Sequence, residues 1–267
     1  MIDWRHWHNE PHLIGGLVLL GWLFALLTGP FRARLAPPGT LWPRGPAFCF
    51  YTSLAIFYLS VGSPLDQFGE RFLLSAHMIQ HQLIVYPAAA LFLLGLPPWV
   101  VRPVTGQASL RGLLRFLTNP VVCGLVFSLT YNVWHLPALY DWALENRVIH
   151  IVEHVMFFGA ALFYWWPLLS PSTEFPPLGS GAQLLYLLAV MISMTPLFAY
   201  LAFVGDVVYP TYEFAPRLFP NFSPADDQNL AAGIMELGGG TVVFIASAVL
   251  FFRWQRPEQL RRRALPV

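Results

Sequence analysis

The chain reads as long apolar runs separated by short polar breaks, with proline or glycine at many of the boundaries. Crossing the hydrocarbon core takes about 20 mostly apolar residues in helical form. Seven stretches fit: Pro11 to Gly29, Pro46 to Gly62, near Arg71 to Leu96, Pro120 to His135, Val148 to Leu169, Ala182 to Val204 and Leu230 to Phe252. Pro196 predicts a kink inside the sixth. Gly238-Gly239-Gly240 predicts a close helix approach in the last. The segment Arg102 to Asn119 is too polar to span and is expected along the inner surface. Asp206 to Asn229 forms the longest outer segment. The pattern therefore predicts an all-α polytopic membrane protein: seven transmembrane helices in one bundle, a single domain over 1–267, with a basic cytoplasmic tail over 253–267.

Composition sharpens this picture. Only 11% of residues are charged, against about 25% in soluble domains, and mean hydropathy is +0.55. The partner these numbers imply is the lipid bilayer. A net charge of +1 without a basic patch excludes nucleic acid. All fifteen basic residues are arginine. Arg32, Arg34, Arg44, Arg102, Arg111, Arg115, Arg253, Arg256 and Arg261 to Arg263 fall on one side of the predicted spans. Arg5, Arg71, Arg147 and Arg217 fall on the other. The positive-inside rule then puts the N-terminus out and the C-terminus in. Asp3 and Glu10 beside a single Arg5 do not make the basic start of a cleavable signal, so the first apolar run is expected to be a retained helix. Cys49 and Cys123 read as packing residues, with a thiolate metal pair as the alternative.

Histidine carries the candidate chemistry. His77 and His81 are four apart on the third span, His150 and His154 repeat that spacing on the fifth, and His135 closes the fourth. An i,i+4 pair sets both imidazoles on one helix face. At 1.5 Å per residue, His77 and His81 lie roughly 9 and 15 Å below the outer boundary, and His150 and His154 roughly 5 and 10 Å below it. His135 reaches the same surface, so one topology gathers all five in the outer half. A polar group unpaired in hydrocarbon costs several kcal/mol, so these rings face partners, water or a metal. Neutral imidazole suits copper, zinc, iron or nickel. Gln80, Asn132 and Glu153 are candidates to orient the rings, and Met78 and Met235 are thioether candidates that favour Cu(I). A proton relay and haem ligation remain as alternatives. His6, His8 and His12, in Trp4-Arg5-His6-Trp7-His8-Asn9-Glu10-Pro11-His12, read as part of an aromatic interfacial anchor, with metal capture as the alternative. There is no phosphate loop, GxSxG or HExxH, and the chain does not read as an enzyme.

Three blocks resemble the CtaG-type family of multi-span cytochrome c oxidase assembly proteins. The first is Ser63-Pro64-Leu65-Asp66, continuing through Ser75-Ala76-His77-Met78-Ile79-Gln80-His81 to Leu94-Gly95-Leu96-Pro97. The second is Trp134-His135-Leu136-Pro137-Ala138-Leu139-Tyr140-Asp141, with His150, Glu153-His154 and Phe163-Tyr164-Trp165-Trp166-Pro167-Leu168. The third is Asp227-Gln228-Asn229-Leu230-Ala231-Ala232-Gly233-Ile234-Met235. Glu236-Leu237-Gly238-Gly239 departs from the aromatic and proline expected there, which adds Glu236 as a candidate metal or proton ligand. The resemblance implies a non-enzymatic factor of the bacterial inner (plasma) membrane that helps copper reach the buried copper site of a haem–copper oxidase subunit, with a periplasmic copper donor as a further partner. On that expectation His77, His81, His135, His150 and His154 hold Cu(I). The competing readings are a structural or accessory membrane subunit without metal, a haem-binding electron carrier and a copper exporter.

Overall fold

The computed structural model describes Arg5 and residues 7–263, with side chains as far as Gln255. His6 and the side chains of Arg256 and Arg261 to Arg263 lie outside the described residues. Every regular element among the described residues is helical. The principal ones are α1 (Pro11–Thr28), α2 (Arg44–Gly62), α3 (Pro64–Arg71), α4 (Leu74–Leu94), α5 (Pro120–Trp134), α6 (Pro137–Glu145), α7 (Arg147–Leu169), α8 (Ser180–Phe203) and α9 (Pro224–Arg263). Short helices at Arg32–Leu35, Pro98–Thr105, Arg111–Leu117 and Pro210–Glu213 fill the connections.

Among the described residues six helices are long and apolar enough to span: α1, α2, α4, α7, α8 and α9. The expected fourth span is different. Helix α5 has 15 residues, about 22 Å of helix, and reaches spanning length only together with Ala108–Leu117, bent from it by 57°. Seven spans therefore means counting that bent pair as one. The span expected from near Arg71 to Leu96 is α4, Leu74–Leu94, set off from α3 by a turn at Phe72 and Leu73. The last helix begins six residues before the expected Leu230 and runs as far as Arg263, inside the segment read as a tail.

Local chemistry explains the helix starts. Ser63, Asn119 and Asn146 each cap the following helix by accepting a backbone N–H with the side chain, and proline follows the first two. Proline at position 87 cannot donate, and α4 widens there into a π turn over Ile84–Ala88. Neighbouring helices bond to the carbonyls on either side. Trp165 Nε1 of α7 donates to Val85 O at 2.8 Å, and Ser53 Oγ of α2 donates to Ala88 O at 2.7 Å. That exchange lets an irregular turn persist away from water.

The core runs through α4, α5, α7, α8 and α9, around Met78, Ile84, Phe127, Phe157, Tyr164 and Leu187. The glycine run of α9 does admit α4 closely: a Cβ on Gly238 would stand 3.0 Å from the Gln82 side chain, and one on Gly239 would meet the Tyr86 hydroxyl at 2.5 Å. Helix α1 packs at the edge through Phe24, stacked on Phe50 with ring centroids 4.2 Å apart. Val18, Leu19, Leu20, Trp22 and Leu23 on its outer side are exposed, as a lipid-facing helix requires.

Candidate metal centre

Helix α4 delivers His77 and His81 one turn apart into the interior, both with 0% exposure. Their placement depends on how α4 begins. The carboxylate of Asp227, from the start of α9, accepts the backbone N–H groups of Leu74 and Ser75 at 2.6 and 3.2 Å and the Ser75 hydroxyl. A residue about 150 positions away thus caps the first turn of the histidine helix. On α7, His150, Glu153 and His154 are buried on the facing side. His135 ends α5, where its ring stacks on Tyr131 at 4.7 Å and Tyr209 donates to its carbonyl at 2.9 Å.

These elements bring all five histidines together. Ring centroids are 4.4 Å apart for His77 and His81, 4.3 Å for His150 and His154, 5.4 Å for His77 and His150, 5.5 Å for His81 and His154, and 5.9 Å for His81 and His135. Two overlapping sets have one donor atom each within 4.8 Å of the others: His77, His150 and His154, and His77, His81 and Glu153. His77 belongs to both. His135 sits beside these sets, against His81.

Hydrogen bonds fix which nitrogen each ring presents. His135 Nδ1 donates to Tyr131 O at 2.7 Å, and His150 Nδ1 bonds Glu70 Oε1 at 2.7 Å. Each Nε2 is then buried without a protein partner. A histidine bonded through one nitrogen to a carbonyl or carboxylate, with the other bare, is the arrangement of metal-ligating histidines. His154 Nε2 and both Glu153 oxygens are also buried without partners. His77 and His81 meet through their Nε2 atoms at 2.9 Å. Only one of two neutral rings can donate in that bond, so the other carries its hydrogen on Nδ1. Both Nδ1 atoms are buried and unpartnered, which strands a donor. Glu153 Oε1 lies 3.7 Å from His81 Nε2 and 4.0 Å from His77 Nε2, too far for a hydrogen bond and near enough to share an ion. So many orphaned donor atoms in one small volume fit a bound metal.

The sequence-predicted neighbours divide. Glu153 joins the cluster. Gln80 turns away, its amide donating to Asp66 Oδ1 at 2.6 Å and Ser60 O at 2.9 Å. Asn132 points to Ser128 O at 2.8 Å and to the Met194 sulfur at 3.9 Å. Met78 and Met235 are wholly buried in the surrounding core. Glu236 is partly buried further along α9. Sequence reasoning missed Glu70, the partner of His150. The i,i+4 spacing of Asp66 and Glu70, one turn apart on α3, was a signal for it.

A cavity of about 320 Å³ opens beside the cluster, with His150 and His154 in its wall and His8, Glu10, Asp66 and Glu70 nearer its mouth. Burial works to raise the Glu70 carboxyl, but the His150 hydrogen bond and charge, helped by His8 and Arg71, hold it below its usual range. His8 is raised by its hydrogen bond to Asp66, against the opposing effect of burial.

The model of the cytochrome c oxidase caa3 assembly factor family, Caa3_CtaG, matches residues 22–257. The chain belongs to that family. No curated protein and no solved structure matches it. The match takes in all five clustered histidines, Glu153, Asp66 and Glu70 of this caa3 assembly factor, and leaves His8 and His12 outside. Membership makes the chain a cytochrome c oxidase assembly factor with a haem–copper oxidase as its partner.

Proposed function

We propose that this assembly factor takes up copper in its histidine cluster and passes it to the oxidase subunit that carries the buried copper site. Support comes foremost from His150, whose Nδ1 is engaged by Glu70, whose Nε2 is buried and bare, and which shares a donor set with His77 and His154. Copper is cargo here. His77 is common to both donor sets, so an ion can move between them by exchanging two ligands while keeping one. Neutral imidazoles with a single carboxylate suit copper, and for Cu(I) the buried Met78 and Met235 are thioether candidates. The arginine distribution supports an N-terminus outside and a C-terminus inside a bacterial plasma membrane. The cavity then opens on the outer side, where a periplasmic donor would deliver.

The test is metal content of detergent-purified protein loaded with reduced copper, wild type against His77→Ala/His154→Ala. About one copper per chain, lost in the double variant, is the expected result. No stoichiometric metal in either protein would overturn the carrier role and favour a structural subunit, and a Soret band would favour a haem protein.

A further inference from the structure

We propose that the mouth of the cavity holds a second metal site, for a divalent first-row ion such as Cu(II) or Zn(II), built by His8, Asp66 and Glu70. One donor atom from each lies within 4.8 Å of the others. His8 Nε2 is 3.1 Å from Asp66 Oδ2. Bond lengths near 2 Å place donors on one tetrahedral ion about 3.3 Å apart, so His8 and Asp66 already stand at that spacing and Glu70 needs to close by no more than about 1.5 Å.

Each donor is held from behind. His8 Nδ1 bonds Glu10 Oε1 at 2.9 Å, and Arg147 clamps that carboxylate in turn. His8 therefore directs its other nitrogen at the acidic pair, the carboxylate–histidine pattern of a metal ligand. Asp66 Oδ1 is fixed by the Gln80 amide at 2.6 Å, which leaves Oδ2 facing His8. Glu70 Oε1 is fixed by His150 Nδ1 at 2.7 Å. Side-chain exposure is 14% for His8, 7% for Asp66 and 23% for Glu70. Such a site is sheltered enough to strengthen electrostatics and open enough to load from the cavity.

The chemistry differs from that of the inner cluster. Two carboxylates and one imidazole make a hard, doubly anionic set that favours a divalent ion, with Cu(II) strongest and Zn(II) next among common candidates. The five-histidine cluster contributes none of these ligands, so this site does not depend on the copper-carrier reading. An ion here would tie the segment ahead of α1, already bonded through His8 N to Gly62 O at 2.9 Å, onto α3 above His150. It would thus fasten the N-terminal segment across the cavity mouth.

The experiment uses tag-free, full-length His77→Ala/His154→Ala protein in detergent, so that the inner cluster is disabled. It is titrated with Cu(II) and followed by electron paramagnetic resonance, with Zn(II) calorimetry in parallel. One Cu(II) per chain with a mixed one-nitrogen, oxygen-rich spectrum is expected, weakened at least tenfold by His8→Ala and by Asp66→Asn. Unchanged elution and melting of the metal-free His8→Ala variant shows that the fold is kept. A multi-nitrogen spectrum, loss of binding on His6→Ala or His12→Ala instead, or no effect of either His8→Ala or Asp66→Asn would overturn the site. Failure of Cu(I) uptake by the wild-type cluster leaves this result untouched, so the two ideas fail separately.

Discussion

Glu153→Leu separates a metal site from a hydrogen-bond network by the sign of its effect. Both carboxylate oxygens are buried without a donor, and the nearest imidazole nitrogens stand at 3.7 and 4.0 Å. A buried polar group left unsatisfied costs about 1–3 kcal/mol, and replacing it with leucine of similar volume costs less than about 1.5 kcal/mol in packing. The metal-free variant is therefore expected to range from about 0.5 kcal/mol less to about 3 kcal/mol more stable than wild type. Loading reverses the comparison. A ligand at a hundred times its dissociation constant stabilises the native state by about 2.7 kcal/mol, and the variant should forfeit most of that gain. The assay is thermal unfolding in detergent, with a chelator and then with reduced copper. A charged imidazole paired with Glu153 would lose about 3–5 kcal/mol when its partner is removed. A fall of that size in chelator would refute the reasoning and show the carboxylate already satisfied without metal.

Further outcomes follow from the same geometry. Asp227→Ala removes the cap on α4, and with hydrogen bonds to charged groups worth about 1.5–3 kcal/mol it should lower both the melting temperature and copper uptake. Asp227→Asn should recover part of each. Gly95→Ala sets a Cβ 2.7 Å from the Phe50 backbone, and overpacking of about 1–3 kcal/mol should appear as lower thermal stability. Metal bound per folded chain should be unchanged, because Gly95 is far along α4 from the histidines. Trp165→Phe leaves the Val85 carbonyl of the π turn without its donor and should cost about 1–3 kcal/mol, read as a lower melting temperature and faster amide exchange in α4.

What was legible in the sequence is what a bilayer forces into local pattern. Spans must be apolar along their length, and a histidine inside one must have a reason, so both the helices and the five ligand candidates could be read residue by residue. Orientation of individual side chains could not. Gln80 is one turn from His77 and looked like its supporter, yet the turn at Phe72 and Leu73 folds α3 back alongside α4 and presents Asp66 to it. Glu153 reads from the sequence only as a candidate to orient the rings, and its carboxylate in fact faces the His77 and His81 pair across the helix interface. Helical spacing says which residues share a face and is silent about what packs against that face.

The contacts that sequence reading missed have one property in common: each joins elements far apart in the chain. Asp227 reaches Leu74 across 153 positions, and Glu70 reaches His150 across 80. Both place a carboxylate against the helices that carry histidines, one at the start of α4 and one behind a ring on α7. Lipid supplies no driving force for burying such charge, and a carboxylate in this setting needs its partners held in place. The capping bond of Asp227 is complete without any ion, so it works as structure. The Glu70 bond completes only one nitrogen of His150 and leaves the other bare. That asymmetry argues that α4 is anchored first and independently, whereas the α7 side of the cluster is finished only when something binds. Metal loading should therefore slow amide exchange in the first two turns of α7 more than in those of α4.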